Sequence, residues 1–262
     1  MGDLLMNSGH EGAETRVVPP GVHEGRVAIV TGAGRGLGLL TTETLLRQGA
    51  RVVANHRSPS EDLARLADKY GDRLILVAGD VAEGDTAETL AAEARRFGRL
   101  HVLIHNAGIT RDQLLVQMPV EDWDEVHRVN LRGAFLATKH ALKVMMRGRY
   151  GRIVYVSSLA AVMGNAGQAA YASSKGGLHG LALSVAQEYA AYNVRTVTLA
   201  PGILDTGMGV ALDPARRSYM ADRALMGLGD GQQMAETIAF LASPAADYIN
   251  ATTVHADGGV RY

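Results

Sequence analysis

The chain has 262 residues, 47% of them hydrophobic and 20% charged, which is enough to build one large core in a single α/β domain. Its formal net charge of -1 gives no global basic field, so neither nucleic acid nor an anionic membrane is an expected partner. A small or locally charged ligand is expected instead. The absence of cysteine excludes disulfides, thiolate metal sites and a cysteine nucleophile.

Targeting segments and metal sites are not predicted. The opening segment MGDLLMNSGHEGAETR has no long apolar stretch, and no other segment reaches transmembrane length, which predicts a cytoplasmic protein. The histidines form no cluster with the spacing of metal ligands, so no metal is expected.

The composition changes near residue 25. Residues 1–24 are rich in Gly and polar residues and end in Pro19, Pro20 and Gly21, which predicts a flexible N-terminal tail before a domain over 25–262. In that domain, short β-branched runs alternate with longer amphipathic stretches, a pattern typical of βαβ units. The predicted strands are RVAIV, RVVAN, LILVAGD, HVLIHN, RIVYVSS, VRTVTLAP and TTVHADGG. Helices are predicted near 36–48, 60–70, 85–97, 122–147, 170–191 and 232–242.

These elements predict a single-domain Rossmann fold of the α/β class. Because crossover connections are right-handed, the strands form a seven-stranded parallel doubly wound sheet with helices on both faces. Ligands bind such sheets beyond the carboxyl ends of the strands, near the point where the strand order reverses. Functional residues are therefore expected directly after strands.

A glycine-rich turn follows the first predicted strand and opens the first predicted helix. Glycine permits a tight turn and a close approach to a pyrophosphate, and the amides at the positive end of the helix stabilise the anion. The spacing differs from the GxGxxG form of other dinucleotide folds. The alternative is a glycine-rich loop without a ligand. The candidate cofactor-binding residues of this turn are Gly32, Gly34, Arg35, Gly36, Leu37 and Gly38.

The end of the second strand indicates which dinucleotide binds. Folds that bind NAD usually place an acid there for the adenosine ribose, but this strand ends in Asn55, His56 and Arg57. Arg57 can pair with a ribose phosphate, and Arg35 offers a second cation. NADP(H) is therefore predicted over NAD(H). The alternative is that both arginines are solvated surface charges.

Four residues are candidates for catalysis. Tyr171 and Lys175 lie four apart in a predicted helix, so their side chains emerge on one face. Ser158 closes a predicted strand before them, and Asn130 lies in the long preceding helix. Each residue alone is compatible with a cap, turn or packing role. Their joint order, together with the glycine turn, favours one active site.

The order of these motifs resembles that of the short-chain dehydrogenase/reductase family over essentially everything after residue 24. The glycine turn resembles its TGxxxGxG motif, and the segment that begins at Pro201 resembles its PGxxxT segment. The family's NAG motif is matched with His105 in place of the usual preceding Asn, which we interpret as a tolerated structural change. The resemblance adds to the cofactor site Asp80, Val81, Asn106, Ala107, Gly108, Pro201, Gly202, Ile203 and Thr206.

The resemblance implies a role for each catalytic residue. Ser158 hydrogen-bonds the substrate oxygen, and Tyr171 delivers a proton to it. Lys175 stabilises the tyrosine anion and also holds the nicotinamide ribose, so Tyr171 and Lys175 belong to the cofactor site as well. The backbone carbonyl of Asn130 steadies a water that relays protons to Lys175. Residues 207 to about 229 are expected to form a mobile lid over the substrate.

Several stretches are closer to 3-oxoacyl-acyl-carrier-protein reductases than to the family at large, including MGNAGQAAYASSKGGLHGLALSVAQEYA. They imply reduction of a 3-oxoacyl thioester, free or carrier-bound, to a 3-hydroxyacyl product. Arg149 matches a cation that steers an acidic carrier protein, whereas Tyr192 replaces a second such arginine. The alternatives are a polyketide or other specialised ketoreductase, an alcohol or polyol dehydrogenase, and a non-catalytic dinucleotide-binding regulator.

A homotetramer is expected from the same resemblance. The family usually assembles through the two long helices after the fourth and fifth strands and through the closing strand. Small residues in these helices suit close helix packing, but they can instead simply face the sheet. They are Ala134, Ala137, Ala141, Ala182, Ala186 and Ala190.

Overall fold

The computed structural model describes residues 21–58, 60–210 and 212–260, which form one seven-stranded sheet. Its strands are β1 (Val27–Thr31), β2 (Arg51–His56), β3 (Leu74–Ala78), β4 (Val102–His105), β5 (Gly151–Val156), β6 (Val194–Pro201) and β7 (Thr252–Ala256). They lie in the order β3-β2-β1-β4-β5-β6-β7, and every neighbouring pair is parallel. The predicted single-domain α/β fold with a seven-stranded parallel doubly wound sheet is confirmed.

Helices cover both faces of this sheet. They are α1 (Gly36–Arg47), α2 (Glu61–Tyr70), α3 (Gly84–Arg96), α4 (Val120–His127), α5 (Gly133–Gly148), α6 (Ala160–Met163), α7 (Ala169–Tyr189), α8 (Pro214–Asp222) and α9 (Gly231–Ala242). One hydrophobic cluster joins α1, α2 and α9 to the sheet, and a second joins α3, α5 and α7 to the opposite face. Because β1, β4 and β5 are buried at every position, their alternating side chains contribute to both clusters.

Local sequence signals explain where several helices begin. Ser60 caps α2 by accepting a hydrogen bond from the Leu63 amide, and two acids follow in the first turn. Asp230 caps α9 in the same way through the Gln233 amide at 2.8 Å. These caps fix α2, which packs beside β3, and α9, which packs beside β5 and β6.

The long helix predicted near 122–147 is interrupted. Arg128–Arg132 form a π-helical segment between α4 and α5, and Asn130 lies at its centre. The sequence did not reveal this interruption, because hydrophobic spacing continues through it. A wider turn of this kind is frequent at functional sites. The region predicted as a lid also contains the unpredicted helix α8.

Four residues of the predicted tail contact the domain. Residues 1–20 of the predicted tail lie outside the described residues, but 21–24 form a turn that packs on the domain. His23 is fully buried there, and its Nε2 lies 3.0 Å from the Ala239 carbonyl oxygen in α9. Within the described ranges, no helix is long and apolar enough to cross a membrane, and no group of three acidic or histidine side chains is placed to hold a metal ion.

The topology fixes where a ligand can bind. The chain returns from the edge strand β3 to pair β4 with the other side of β1, so the strand order reverses between β1 and β4. The carboxyl ends of β1, β4, β5 and β6 are consequently neighbours. The glycine turn, Asn106, Ser158 and Gly202 follow these strand ends directly.

Candidate active site

A cleft of about 1120 Å³ opens at the carboxyl ends of the strands. It brings together predicted residues that are widely separated in the sequence. Those that line it are Gly32, Gly34, Arg35, Gly36, Leu37, Arg57, Asp80, Val81, Asn106, Ala107, Gly108, Ser158, Tyr171, Lys175, Pro201, Gly202, Ile203 and Thr206. The remaining two predicted residues, Gly38 and Asn130, lie behind this lining.

Two glycines of the turn are required by close backbone approaches. Gly36 has a φ of +54°, and a Cβ there would lie 2.8 Å from the Cα of Gly207, which belongs to the predicted lid. A Cβ on Gly38 would collide with the Gly32 carbonyl oxygen. Gly38 therefore permits the close packing inside the turn, while Gly36 permits the contact between the turn and the predicted lid segment.

The first turn of α1 is suited to an anion. Its N-cap residue, Arg35, makes no side-chain capping hydrogen bond, and the turn contains no acidic residue. The helix amides and the positive end of the helix dipole therefore face the cleft without a competing carboxylate from this turn. Combined with the close-packed glycine turn, this arrangement fits the pyrophosphate of a dinucleotide.

The end of β2 carries exposed cations, whereas the side chain of Asn55 on this strand is held by hydrogen bonds to backbone carbonyls. Asn55 is buried, and its Nδ2 donates to the carbonyls of Val77 at 3.3 Å and Gly79 at 3.0 Å. Asn55 thus joins β2 to the end of β3, and it also lines the cleft. Arg35 and Arg57 are exposed at the cleft wall.

Asp80 is held as an ionised acceptor in the cleft wall. Its carboxylate accepts hydrogen bonds from the Ala82 amide at 2.9 Å and from Arg128 at 2.7 Å. Burial opposes ionisation of Asp80, but these two donors outweigh it and lower its pKa. Arg128 also pairs with Glu83 and Glu125, so it ties the β3 loop to the π segment. The sequence analysis did not identify Arg128.

Tyr171 and Ser158 face each other in the cleft. Tyr171 is on α7 and is 8% exposed, and Ser158 follows β5 with its Oγ accepting a hydrogen bond from the Ala160 amide at 3.1 Å. Burial raises the pKa of Tyr171 to about 12, while a hydrogen bond with Ser158 opposes the rise. The phenol is therefore protonated at neutral pH and able to donate.

Lys175 lies one turn beyond Tyr171 on the same face of α7. Its Nζ is 6.0 Å from the centroid of the Tyr171 ring and donates to the Val156 carbonyl at 2.8 Å. The side chain is fully buried, and burial lowers its pKa to about 8. Lys175 is thus a cation that can lose or regain a proton near neutral pH.

Asn130 connects three parts of the site through its side chain. Its Oδ1 accepts from the Ile109 amide at 2.8 Å, and its Nδ2 donates to the Ile109 carbonyl at 3.0 Å and to Ser174 Oγ at 2.9 Å. A Cβ on Gly108 would lie 3.0 Å from Lys175 Nζ and 3.3 Å from Asn130 Oδ1. The side chain of Asn130 therefore positions the loop after β4 beside Lys175.

A polar cluster at the mouth of the cleft was missed by sequence reasoning. Asn165 Nδ2 donates to Gln168 Oε1 at 2.8 Å, and Gln168 Nε2 lies 3.0 and 3.1 Å from the two carboxylate oxygens of Asp112. Asp112 also contributes to the raised pKa of Tyr171, after burial. Their position in the sequence could have indicated them, because Asn165 and Gln168 follow the strand that leads to Ser158.

The predicted carrier-binding arginine lies away from this cleft. Arg149 immediately follows α5 and precedes β5, whereas Ser158 comes after β5. The two residues are therefore at opposite ends of one strand, and Arg149 does not line the cleft. Arg149 Nη2 donates to the Ala191 carbonyl at 3.0 Å, near Tyr192.

The chain belongs to the short chain dehydrogenase family, whose model matches residues 26–217. The resemblance predicted from the motifs is thereby confirmed. The 3-oxoacyl-[acyl-carrier-protein] reductase FabG of Vibrio cholerae serotype O1 is 41% identical over 239 residues, which cover 90% of this chain and 98% of that protein. FabG of Escherichia coli strain K12 is 40% identical over 243 residues, with 90% and 98% covered. Nodulation protein G of Rhizobium sp. strain N33 is 38% identical over 239 residues, with 90% and 97% covered.

Proposed function

We propose that the protein is an NADPH-dependent ketoreductase that converts the 3-keto group of an acyl thioester to a 3-hydroxyl group. The observation that carries the proposal is the meeting of Tyr171, Ser158 and Lys175 with the glycine turn in one cleft. The names of the relatives, 3-oxoacyl-[acyl-carrier-protein] reductases, support the substrate class.

The chain's own residues supply the proton chemistry. When bound, a nicotinamide would supply a hydride to the carbonyl carbon, which would leave negative charge on the carbonyl oxygen. Ser158 donates a hydrogen bond to that oxygen, and Tyr171 transfers its phenolic proton to it. Lys175, with a pKa lowered to about 8 by burial, stabilises the phenolate and returns the proton. Asn130 positions the loop beside Lys175 and offers its backbone carbonyl to a proton-relaying water.

Arg35 and Arg57 support a preference for NADPH. Both guanidinium groups are exposed at the cleft wall on the side where the β2 end lacks a carboxylate. A charge-assisted pair with the ribose phosphate would favour NADPH over NADH. Glycines of the turn and the first turn of α1 would hold the pyrophosphate, and Pro201, Gly202, Ile203 and Thr206 would hold the nicotinamide.

A homotetramer that acts on carrier-bound substrates completes the proposal. Phe135 on α5 and Leu183 on α7 are 48% and 45% exposed, so both long helices present large apolar side chains outward. Five of the six alanines considered for helix contacts are buried within the chain, and only Ala190 is exposed. Because Arg149 lies at the far end of β5, a carrier bound there would deliver its acyl chain to another copy's cleft. The cytoplasmic location stays a prediction.

The test is turnover of acetoacetyl thioesters followed by NADPH absorbance. We expect an acetoacetyl pantetheine mimic to be reduced faster than a simple cyclic ketone, and NADPH to be preferred over NADH. Arg57→Ala should raise the KM for NADPH by about tenfold or more, because a charge-assisted hydrogen bond is lost. Arg65→Ala is the matched control, since Arg65 is an exposed arginine on α2 that pairs with Asp62 outside the cleft.

The other outcomes separate the alternatives. Turnover of the ketone alone would favour an alcohol or polyol dehydrogenase. A preference for NADH that Arg57→Ala leaves unchanged would overturn the role of both arginines. Tight cofactor binding without turnover of any carbonyl substrate would favour a non-catalytic regulator.

A further inference from the structure

His105 joins the first strand to the catalytic π segment. It is the last residue of β4 and is fully buried. Its Nδ1 lies 3.2 Å from Thr31 Oγ1 at the end of β1, and its Nε2 lies 3.2 Å from the backbone carbonyl oxygen of Asn130. An imidazole thus spans the space between the glycine turn and the residue that neighbours Lys175.

The contacts of Thr31 determine which ring nitrogen carries the proton. Thr31 Oγ1 accepts hydrogen bonds from the amides of Asn106 and Ala107, each at 3.1 Å, and amides can only donate. Both hydroxyl lone pairs are therefore used, and the hydroxyl proton must point to His105 Nδ1. The carbonyl of Asn130 can only accept, so Nε2 must carry the ring proton. The network is satisfied only by the neutral Nε2–H tautomer.

The surroundings of His105 agree with a neutral ring. Burial and the charge of Lys175 lower the pKa of His105 to about 3, while the hydrogen bond to Asn130 opposes this. A second ring proton would also meet a hydroxyl whose lone pairs are already occupied. The ring therefore cannot serve as an acid or base at neutral pH. Its role is instead to orient the group that accepts its hydrogen bond.

The backbone carbonyl of Asn130 is the group that His105 orients. Three hydrogen bonds hold the Asn130 side chain on Ile109 and Ser174, so we assign the service of the active site to its backbone carbonyl. That carbonyl belongs to a π segment, where the helical hydrogen-bond pattern changes, and a side-chain donor from outside the helix can fix its direction. His105 provides such a donor, with its Nε2 at 3.2 Å from the oxygen.

We propose that His105 is a positioning residue, which as the Nε2–H tautomer fixes the Asn130 carbonyl and so supports proton return to Lys175 and Tyr171. This inference rests on the proposed function. It replaces the interpretation of His105 as a tolerated structural change. Thr31 becomes part of the same arrangement, because its hydroxyl selects the tautomer.

The test compares two substitutions of similar size. His105→Gln places an amide donor near the position of Nε2, whereas His105→Met fills the space without a donor. We expect His105→Met to lower kcat by about tenfold to a hundredfold, since a relay group is displaced, with little change in the KM values. His105→Gln should restore most of kcat. The loss in His105→Met should increase when the pH is raised and proton return limits turnover.

His23→Met is the matched control for structural damage. His23 is also a fully buried histidine whose Nε2 contacts a backbone carbonyl, that of Ala239 at 3.0 Å, but it does not line the cleft. It should lower stability and leave kcat unchanged. Equal kcat in His105→Met and wild type would overturn the inference, as would equal losses in His105→Met and His23→Met.

A nitrogen NMR spectrum of the holoenzyme tests the tautomer independently of activity. We expect the His105 signals of a protonated Nε2 and an unprotonated Nδ1, with no titration across the neutral range. A protonated Nδ1, or titration near neutral pH, would overturn the assignment. If wild type reduces no thioester, the proposed function fails; an active wild type with the opposite tautomer is the failure of the His105 inference alone.

Discussion

Tyr171 and Lys175 are both buried, and burial acts on them in opposite directions. It raises the pKa of the phenol to about 12 and lowers the pKa of the ammonium to about 8. The difference between the two pKa values is therefore larger than in water, where they nearly coincide. At neutral pH the site therefore keeps the phenolic proton on Tyr171.

The first residue-scale prediction concerns Tyr171→Phe. Removing the hydroxyl removes the proton donor but leaves the ring, so kcat should fall by roughly 10² to 10⁴ while the Kd for NADPH stays unchanged. Steady-state kinetics and a fluorescence titration with NADPH measure the two quantities. Tyr155→Phe is the control, because Tyr155 is a buried tyrosine that contacts Thr138 at 2.9 Å outside the cleft. Retained turnover in Tyr171→Phe would contradict the assigned role.

The second residue-scale prediction concerns the stability of Lys175→Met. The folded-state pKa of Lys175, about 8, lies below its ordinary value of 10.5, so the unfolded chain binds more protons between these values. Wild-type stability should therefore rise as the pH rises from about 8 to about 10.5. At pH near 7 the variant lacks a buried charge and should be more stable by on the order of 2 kcal/mol, although inactive. Lost contact with the Val156 carbonyl offsets part of this gain.

Urea unfolding of the cofactor-free protein at several pH values measures this effect. The advantage of Lys175→Met should be largest below about pH 8 and should disappear near the ordinary lysine pKa. Lys143→Met is the control, because Lys143 is an exposed lysine on α5 and its replacement should add no pH dependence. A variant that is less stable than wild type at neutral pH would show that the burial cost is small.

On the scale of the elements, the predicted lid segment contacts the start of α1 at the glycine turn, where Gly207 lies against Gly36. Gly36 and Gly71 have nearly equal φ angles, +54° and +55°, but an added Cβ would collide with Gly207 at the first site and meet nothing within 4 Å at the second. Gly71→Ala should therefore cost only the backbone strain, about 1–3 kcal/mol. Gly36→Ala should cost more and should also weaken NADPH binding, because the turn and the lid segment must separate.

Unfolding and NADPH titration of both alanine variants distinguish these contributions. An equal stability loss in the two variants, with unchanged NADPH affinity, would mean that the contact between Gly36 and Gly207 is not needed. A selective loss of NADPH affinity in Gly36→Ala would show that the lid segment and the turn act as one binding element.

Sequence patterns determined the elements better than their internal details. All seven strands were predictable, since short β-branched runs between amphipathic stretches are typical of strands buried on both faces of a parallel sheet. The π segment around Asn130 was not, because it preserves hydrophobic spacing while changing backbone hydrogen bonds. Helix α8 was hidden by its glycine-rich surroundings. His105 was recognised only as a departure from a motif, since its partners Thr31 and Asn130 are distant in sequence.

On the scale of the whole molecule, the cleft and Arg149 lie at opposite edges of the sheet. Its carboxyl edge holds the cleft, and its amino edge holds Arg149 and the buried Arg152, which contacts the carbonyls of Leu241, Ala246 and Ile249. Under the proposed function, a carrier protein that contacts Arg149 would deliver its acyl chain to a cleft on another copy. The proposed carrier-dependent activity and the proposed assembly are thus linked by the geometry of one chain.

The last prediction tests that link by dissociating the assembly. Phe135→Glu combined with Leu183→Glu places charges on the exposed apolar side chains of α5 and α7, and burying them in an interface would be unfavourable. Sedimentation should show smaller species, and turnover of a carrier-bound substrate should fall more than that of a pantetheine mimic. Val116→Glu is the control, because Val116 is 90% exposed but lies outside both helices. A monomeric wild type, or equal losses on the two substrates, would remove the basis for delivery between copies.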